Sequence, residues 1–213
     1  QAEDFLRAVP RLADSREGRL LSAKLEWDRG YRELALVQFR QLASELPQDA
    51  EVHRELHGHL RQQGLMDEAR RRSLERQIAF PKEVGPRIEL LHTYRQAGEA
   101  VRVAREADAL LRDFAGDSAA LLSLADFAAN VGDVALMRRT VGEAAARGME
   151  LDPFALLRVE TLVVARDFQG AVEAIRGCRA EFPAGERTHA GVLDSLQAAA
   201  LLGLGDDSAA TMF

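Results

Sequence analysis

Residues 16–49 read REGRLLSAKLEWDRGYRELALVQFRQLASELPQD, and the features of this stretch return along the chain with a period of 34 residues. The recurring positions are occupied by four glycines, by three prolines and by three alanines: Gly30, Gly64, Gly98 and Gly132; Pro47, Pro81 and Pro183; Ala35, Ala69 and Ala171. Three residue types that recur with the same period indicate an internal repeat, and a period of this length is typical of helical repeat proteins. We call the set of equivalent positions, spaced 34 residues apart, the repeat lattice.

Each period is predicted to contain two helices. In residues 50–83, Val52, Leu56 and Leu60 follow the spacing of one helix face. Gly64 then ends this first helix, and a second helix is predicted from about Asp67 until Phe80-Pro81, because proline cannot continue a helix. Five such periods predict about ten or more helices and no strand.

The order of residues within a period resembles the tetratricopeptide-repeat (TPR) family. In the first period this order is carried by Ala23, Trp27, Gly30, Ala35, Phe39 and Pro47. The resemblance implies an all-α, right-handed superhelical solenoid of helix-turn-helix repeats, spanning residues 1–213. The predicted repeats are residues 16–49, 50–83, 84–117, 118–151 and 152–185, with 1–15 as the end of a preceding repeat and 186–213 as a partial sixth. Apolar residues at both ends favour the interpretation that the sequence is a segment of a longer repeat array.

Composition and charge exclude several classes of function. Charged residues make up 29% of the 213 residues, and the net charge is −6, which disfavours general nucleic-acid binding. No apolar run approaches the ~20 residues that span a bilayer, so no direct membrane insertion is expected. Residues 1–112 carry a net charge of +1 and residues 113–213 a net charge of −7.

The single cysteine, Cys178, cannot form an internal disulfide and is expected in the core.

The histidines of the second repeat are the strongest candidate for a metal site. His53 and His57 are four residues apart on one predicted helix face, a spacing that two zinc ligands use. A third ligand would have to come from a neighbouring helix, for instance from His92. Because two histidines rarely make a site alone, we expect packing or surface histidines here, and no metal, cofactor or catalytic residue in the chain.

In the TPR family the first helix of each repeat lines a concave groove. The resemblance therefore implies which residues of the first helices line the groove in this chain. Arg54 and Arg61 are seven residues apart, which is two turns on one helix face, and Arg95 is one period after Arg61. Arginine and tryptophan are frequent binding hot spots. We therefore predict a basic-aromatic patch in the first three repeats, formed by Lys24, Trp27, Arg54, Arg61, His92 and Arg95.

In the last two repeats the same groove positions are acidic and apolar. They are occupied by Leu122, Asp126, Asn130, Leu156 and Glu160. We therefore expect an acidic or mixed-charge protein segment to bind the first three repeats in preference to the last two.

The expected function is that of a non-enzymatic scaffold that binds another protein or peptide. The repeat array also resembles the periplasmic TPR arms of bacterial exopolysaccharide-export proteins of the Pel type, and the arginine-, alanine- and leucine-rich composition suggests a large bacterial parent protein. Two alternatives stay open: a cytoplasmic TPR regulator or assembly factor, and a passive structural spacer without a ligand. The compartment is accordingly periplasmic or cytoplasmic.

Overall fold

The structure, a computed structural model, describes residues 14–181 and 183–205, with side chains for residues 14–179 and 191–205. The described residues form eleven α-helices and no strand. The chain divides into two compact units, Gln1–Gly98 (unit 1) and Glu99–Phe213 (unit 2). The predicted all-α helical repeat fold is confirmed, whereas the predicted repeat boundaries stay a prediction.

Unit 1 has five helices among its described residues: α1 (Arg16–Asp28), α2 (Arg32–Glu45), α3 (Ala50–Gln62), α4 (Met66–Ala79) and α5 (Gly85–Gln96). Consecutive helices pack as hairpins, and α5 also packs against α3. The core lies between them and is made of aliphatic side chains around Phe39, with the small residues Ala23, Ala35 and Ala69 at the points of closest approach. Each of these three alanines is completely buried.

Unit 2 contains six helices: α6 (Ala100–Asp113), α7 (Ser118–Val131), α8 (Val134–Ala146), α9 (Asp152–Val164), α10 (Phe168–Glu181) and α11 (Pro183–Gly203). Here α7 packs against α8 and α9, and α11 packs against α9 and α10. The buried side chains are short and apolar, with Phe127 and Phe154 as the largest. Among the described helices of both units, none combines the length and the apolar composition that crossing a bilayer needs.

The turns between paired helices follow the sequence lattice. Gly30, Gly64, Gly98 and Gly132 all have a positive φ, between 68° and 88°. Glycine adopts this left-handed conformation without the steric cost that a Cβ brings, which explains its recurrence. At the next lattice position stands Arg166, which holds the same conformation with φ of 61°.

Pro183 differs from its two lattice partners. The sequence pattern predicts that it ends the fifth repeat, and in the structure it is the first residue of α11. Proline can end one helix and begin the next. It disrupts a helix interior, but it is favoured in the first turn, where its missing N–H would have no helical partner.

Candidate functional site

The helices α3 and α5 of unit 1 are joined at their C-terminal ends by a reciprocal pair of hydrogen bonds. Arg61 Nε donates to Gln96 Oε1 at 3.0 Å, and Gln96 Nε2 donates to the backbone oxygen of Arg61 at 3.0 Å. Both bonds span one repeat, so they fix the two helices side by side. They also hold the Arg61 guanidinium on the surface that the two helices share.

On these two helices, Arg54, Arg61 and Arg95 form no hydrogen bond or ion pair with a carboxylate among the described residues, although the charge of Arg54 acts on the buried Glu89. Arg54 and Arg95 are exposed, and Arg61 is half-buried. Gly58 lies between Arg54 and Arg61 on the same face of α3, and a Cβ added there would meet no atom within 4 Å. We call the surface formed by Arg54, Gly58, Arg61, His92 and Arg95 the unit 1 face. It combines an excess of positive charge with open space next to the α3 backbone.

His92 contributes a neutral group to the unit 1 face. Its imidazole is half-buried, and burial together with the charge of Arg61 lowers its pKa to about 4. At neutral pH His92 therefore adds hydrogen-bonding capacity and no positive charge.

Lys24, predicted as part of the same basic patch, is offset by carboxylates of α3. Its Nζ lies 2.8 Å from Glu55 Oε1 and 3.6 Å from Glu51 Oε1. Arg16, the first residue of α1, likewise forms hydrogen bonds with Asp49 and Glu51. The α1 part of the predicted patch is thus close to neutral, and the excess positive charge is confined to α3 and α5.

Trp27 has a packing role that the sequence pattern did not reveal. Its ring is half-buried against the unit 1 core and stacks on His59 with ring centroids 4.0 Å apart. The ring of His59 also lies near Phe39, with centroids 4.7 Å apart, so the imidazole contacts two aromatic rings. The guanidinium of Arg32 lies 5.7 Å from the Trp27 centroid, within the range of a cation–π contact. Trp27 is thus held by neighbours within unit 1.

A buried polar network lies behind the unit 1 face and positions α5. Ser73 Oγ donates to Glu89 Oε2 at 2.7 Å, and Arg76 reaches Glu89 at 3.4 Å and Glu83 at 2.8 Å. Burial raises the pKa of Glu89, although Ser73 and Arg76 act in the opposite direction. Sequence reasoning missed this network. The available signal was Ser73, a polar residue at the lattice position where the first repeat has the core residue Phe39.

The histidine cluster does not form a metal-binding arrangement. His57 is buried, and its Nε2 lies 2.8 Å from Thr93 Oγ1 of α5, in hydrogen-bond contact. His53 is half-buried, and burial with the charges of Arg76 and Arg72 lowers its pKa to about 4. Within the part of the chain that the structure describes, no group of three or more His, Cys, Asp or Glu side chains could hold a metal ion.

In unit 2, two carboxylates on the equivalent first helices lie close to each other. Asp126 on α7 and Glu160 on α9 are one period apart and are close enough that the charge of Asp126, added to burial, raises the pKa of Glu160. Asn130 donates to Asp126 Oδ2 at 3.1 Å. This surface has a carboxylate pair at the lattice positions that Gly58 and His92 occupy in unit 1.

Comparisons with known proteins bear on the fold. No protein-family model matches the chain, and no curated protein matches its sequence. Its structure is similar to that of a tetratricopeptide repeat protein from Parabacteroides merdae, with 13% identity, a TM-score of 0.52, and coverage of 92% of this chain and 77% of that one. Other similar structures are a thermophilic TPR protein of Thermus thermophilus (15% identity, TM-score 0.46, 93% and 88% covered) and pilF of Pseudomonas aeruginosa (18% identity, TM-score 0.45, 85% and 82% covered).

The likeness to the Parabacteroides protein, together with the eleven helices, defines the class of protein. The chain is an all-α helical repeat protein with the fold of a tetratricopeptide repeat protein. At 13% identity the likeness concerns the fold alone. The function has to be argued from the surfaces described above.

Proposed function

We propose that the chain is a non-enzymatic scaffold that binds a segment of another protein on the unit 1 face. The observation that supports this proposal is that Arg54, Arg61 and Arg95, on the neighbouring helices α3 and α5, form no ion pair with a carboxylate among the described residues. Elsewhere in unit 1, arginines such as Arg16 and Arg40 are bound to acidic side chains of a neighbouring repeat.

The partner segment is acidic or of mixed charge. A guanidinium binds a carboxylate through two parallel hydrogen bonds, so three of them favour a segment with several Asp or Glu residues. Gly58 leaves room for the backbone of such a segment to approach α3. Because two of the three arginines are exposed, the attraction is moderate and weakens with added salt.

The contact residues of the proposed site are Arg54, Arg61, His92 and Arg95. Lys24 and Trp27 are the other two residues of the predicted patch, and both already have partners within unit 1. Lys24 contributes to binding only if a ligand carboxylate displaces Glu55. Trp27 contributes by keeping His59 and α3 in place.

For the parent system, the resemblance to Pel-type export arms supports a scaffold in the periplasm that recruits other proteins. The competing roles are a cytoplasmic TPR regulator or assembly factor and a passive spacer. A spacer has no requirement for a particular charge at Arg61 or Arg95, so charge reversal separates a spacer from the two binding roles.

The test is a double charge reversal on the full chain, Arg61→Glu with Arg95→Glu. Binding of a fluorescein-labelled Asp/Glu-rich peptide is followed by anisotropy, with a Lys-rich peptide of the same length as a second probe. We expect the double variant to lose at least about tenfold in affinity for the acidic peptide, or about 1.4 kcal/mol. Its helicity by circular dichroism should be unchanged, since Arg95 is exposed and Arg61 half-buried.

A matched control changes the net charge by the same amount away from the unit 1 face. Arg71 on α4 and Arg105 on α6 are both exposed, and the variant Arg71→Glu with Arg105→Glu should bind the acidic peptide within about twofold of the wild-type chain. Equal losses in the two double variants would indicate unspecific attraction. Unchanged binding by the Arg61/Arg95 variant, or no binding of the acidic peptide to any form, would favour the spacer.

A further inference from the structure

Unit 2 contains a cleft between α8 and α10, with α9 as its floor. The main cavity has a volume of about 380 Å³. A second cavity of about 160 Å³ continues it and shares part of its lining with the first. The shared residues are Val141, Arg158, Glu173 and Ala174. We call this continuous space the unit 2 cleft.

The repeat lattice places glycines on the two helices that flank the cleft. In unit 1, Arg40 of α2 binds Glu68 of α4 through two hydrogen bonds of 2.9 and 2.7 Å, which link the second helices of successive repeats. Three periods later, the same two positions are Gly142 of α8 and Gly170 of α10. Neither position carries a side chain that could form the equivalent bridge between α8 and α10.

The lining of the cleft has the dimensions of a helix-binding groove. Val134, Met137 and Val141 follow one another on α8 with the spacing i, i+3 and i+7. Gly170, Ala174 and Gly177 follow with the spacing i, i+4 and i+7 on α10. Both rows extend over two helical turns, roughly 10 Å. An amphipathic helix inserts apolar side chains with this same periodicity into such grooves.

The rim of the cleft has an excess of positive charge. Arg138 and Arg158 are both exposed, and neither has a carboxylate partner among the described residues. Glu173, on the opposite side, accepts a hydrogen bond from Gln169 at 3.1 Å. This basic rim stands out because residues 113–213 carry a net charge of −7. The charge at the rim therefore favours an occupant with acidic residues next to its apolar ones.

We propose that the unit 2 cleft binds an amphipathic helix of a partner protein. This helix carries large apolar residues at i, i+3 or i+4, and i+7, and Asp or Glu beside them. The apolar residues enter the space over Ala174 and Gly177, and the carboxylates reach Arg138 and Arg158. The site lies in unit 2 and is independent of the unit 1 face.

The experiment uses the full chain and two helix-forming peptides with the same leucine anchors, one flanked by glutamates and one by lysines. In the variant Gly177→Leu, a side chain fills the cleft, and a Cβ at this position meets no atom within 4 Å. Gly191→Leu is the matched control, because Gly191 is also helical with open space around it and lies on α11, outside both the cleft and the unit 1 face. We expect Gly177→Leu to weaken the glutamate-flanked peptide at least tenfold and Gly191→Leu to leave it unchanged.

A second variant, Arg138→Glu with Arg158→Glu, tests the charge at the rim without altering the apolar lining. It should reverse the preference, so that the lysine-flanked peptide binds more tightly than the glutamate-flanked one. This variant also keeps the proposal testable if Gly177→Leu fails to fold, which circular dichroism would show.

Three results would overturn the proposal. The first is equal binding of the glutamate-flanked peptide to the wild-type chain and to the rim variant. The second is self-association in sedimentation that Gly177→Leu abolishes, because the occupant would then be a second copy of this chain. The third is binding of dodecanoate in the cleft with no binding of the glutamate-flanked peptide, which would identify a small amphiphile. Loss of binding in the variant Arg61→Glu with Arg95→Glu, but not in Gly177→Leu, would overturn the proposal as well, because the peptide would then lie on the unit 1 face.

Discussion

The two units build the same helical hairpins with different interface chemistry. In unit 1 the neighbouring repeats are linked by side-chain hydrogen bonds and ion pairs, such as Arg40 with Glu68 and His57 with Thr93. Six polar or charged residues of unit 1 are buried, whereas the buried polar residues described in unit 2 are two threonines. They are His57, Ser73, Arg76, Arg87, Glu89 and Thr93 in unit 1, and Thr140 and Thr161 in unit 2.

This difference shows that the repeat geometry does not dictate how repeats are joined. The second helices begin at Arg32, Met66, Ala100, Val134 and Phe168, with a spacing of 34 residues throughout. Polar links fix a defined partner and distance, and they leave the unit 1 face ordered and charged. Unit 2 buries mostly apolar side chains, and it has a cleft between α8 and α10.

The largest effect is expected from the apolar core of unit 2. Phe127 is completely buried, so Phe127→Ala should lower the free energy of unfolding by about 4 kcal/mol through the cavity that it leaves. Urea unfolding followed by circular dichroism measures the loss, which should not depend on salt. Phe127→Leu is the control and should lose less than half as much. A small loss for the alanine variant would mean that unit 2 is not held by this packing.

In unit 1, a buried charge that loses its ion-pair partner should lower the free energy of unfolding almost as much. Arg76→Met removes the cation next to Glu89, and both side chains are at least nine-tenths buried. We expect a loss of about 3 kcal/mol, because Glu89 then keeps the Ser73 hydrogen bond and the charge of Arg54 but loses its buried ion pair. The double variant Arg76→Met with Glu89→Met removes both charges and should recover most of this loss. Equal losses in the single and double variants would contradict a role for the pair.

Acidification should destabilise unit 1 through its histidines. Burial lowers the pKa of His57 from 6.5 to about 3, so below pH 6.5 the unfolded chain binds a proton that the folded chain does not. Stability is therefore complete above the unfolded pKa and falls as pH decreases, by about 2 kcal/mol for this residue between about pH 6.5 and pH 5. His53 and His92 act in the same direction.

The variant His57→Gln isolates this effect, because glutamine can still bond to Thr93 but does not titrate. Its urea stability should be flatter with pH than that of the wild-type chain. The raised pKa of Glu89 acts in the opposite direction, since protonation of this residue favours the folded state. That contribution is present in both proteins and cancels in the comparison. Parallel pH profiles would show that His57 is not buried in its neutral form.

The smallest effect concerns the turn in which unit 2 departs from the glycine pattern. Arg166 has a positive φ that costs a residue with a Cβ roughly 1 kcal/mol. Arg166→Gly should therefore stabilise the chain by up to about 1 kcal/mol, reduced by the greater freedom of glycine in the unfolded state. Gly132→Ala is the opposite test. It should destabilise, because its Cβ would lie 3.0 Å from the Ala165 nitrogen in addition to the unfavourable φ.

The sequence predicted which helices carry the candidate binding residues. It did not predict which of these residues form ion pairs with neighbouring side chains. The lattice placed Arg54, Arg61 and Arg95 on first helices of unit 1, and the structure has them on α3 and α5. It could not show that Glu51 and Glu55 neutralise Lys24, because an ion pair depends on which side chains of the adjacent helix come within reach. For the same reason the Trp27–His59–Phe39 stack was missed: its three rings come from three helices at unrelated lattice positions.

By itself, the sequence determined the helices, their turns and their period, because these depend on local properties: apolar spacing along one helix face, glycine at left-handed turns and proline at helix ends. The tertiary structure decided which charges remain without a partner, which polar groups are buried and where space remains between helices. The unit 2 cleft is the clearest case. Its lining residues come from α8, α9 and α10, and they surround a cavity only because the fold brings these three helices together.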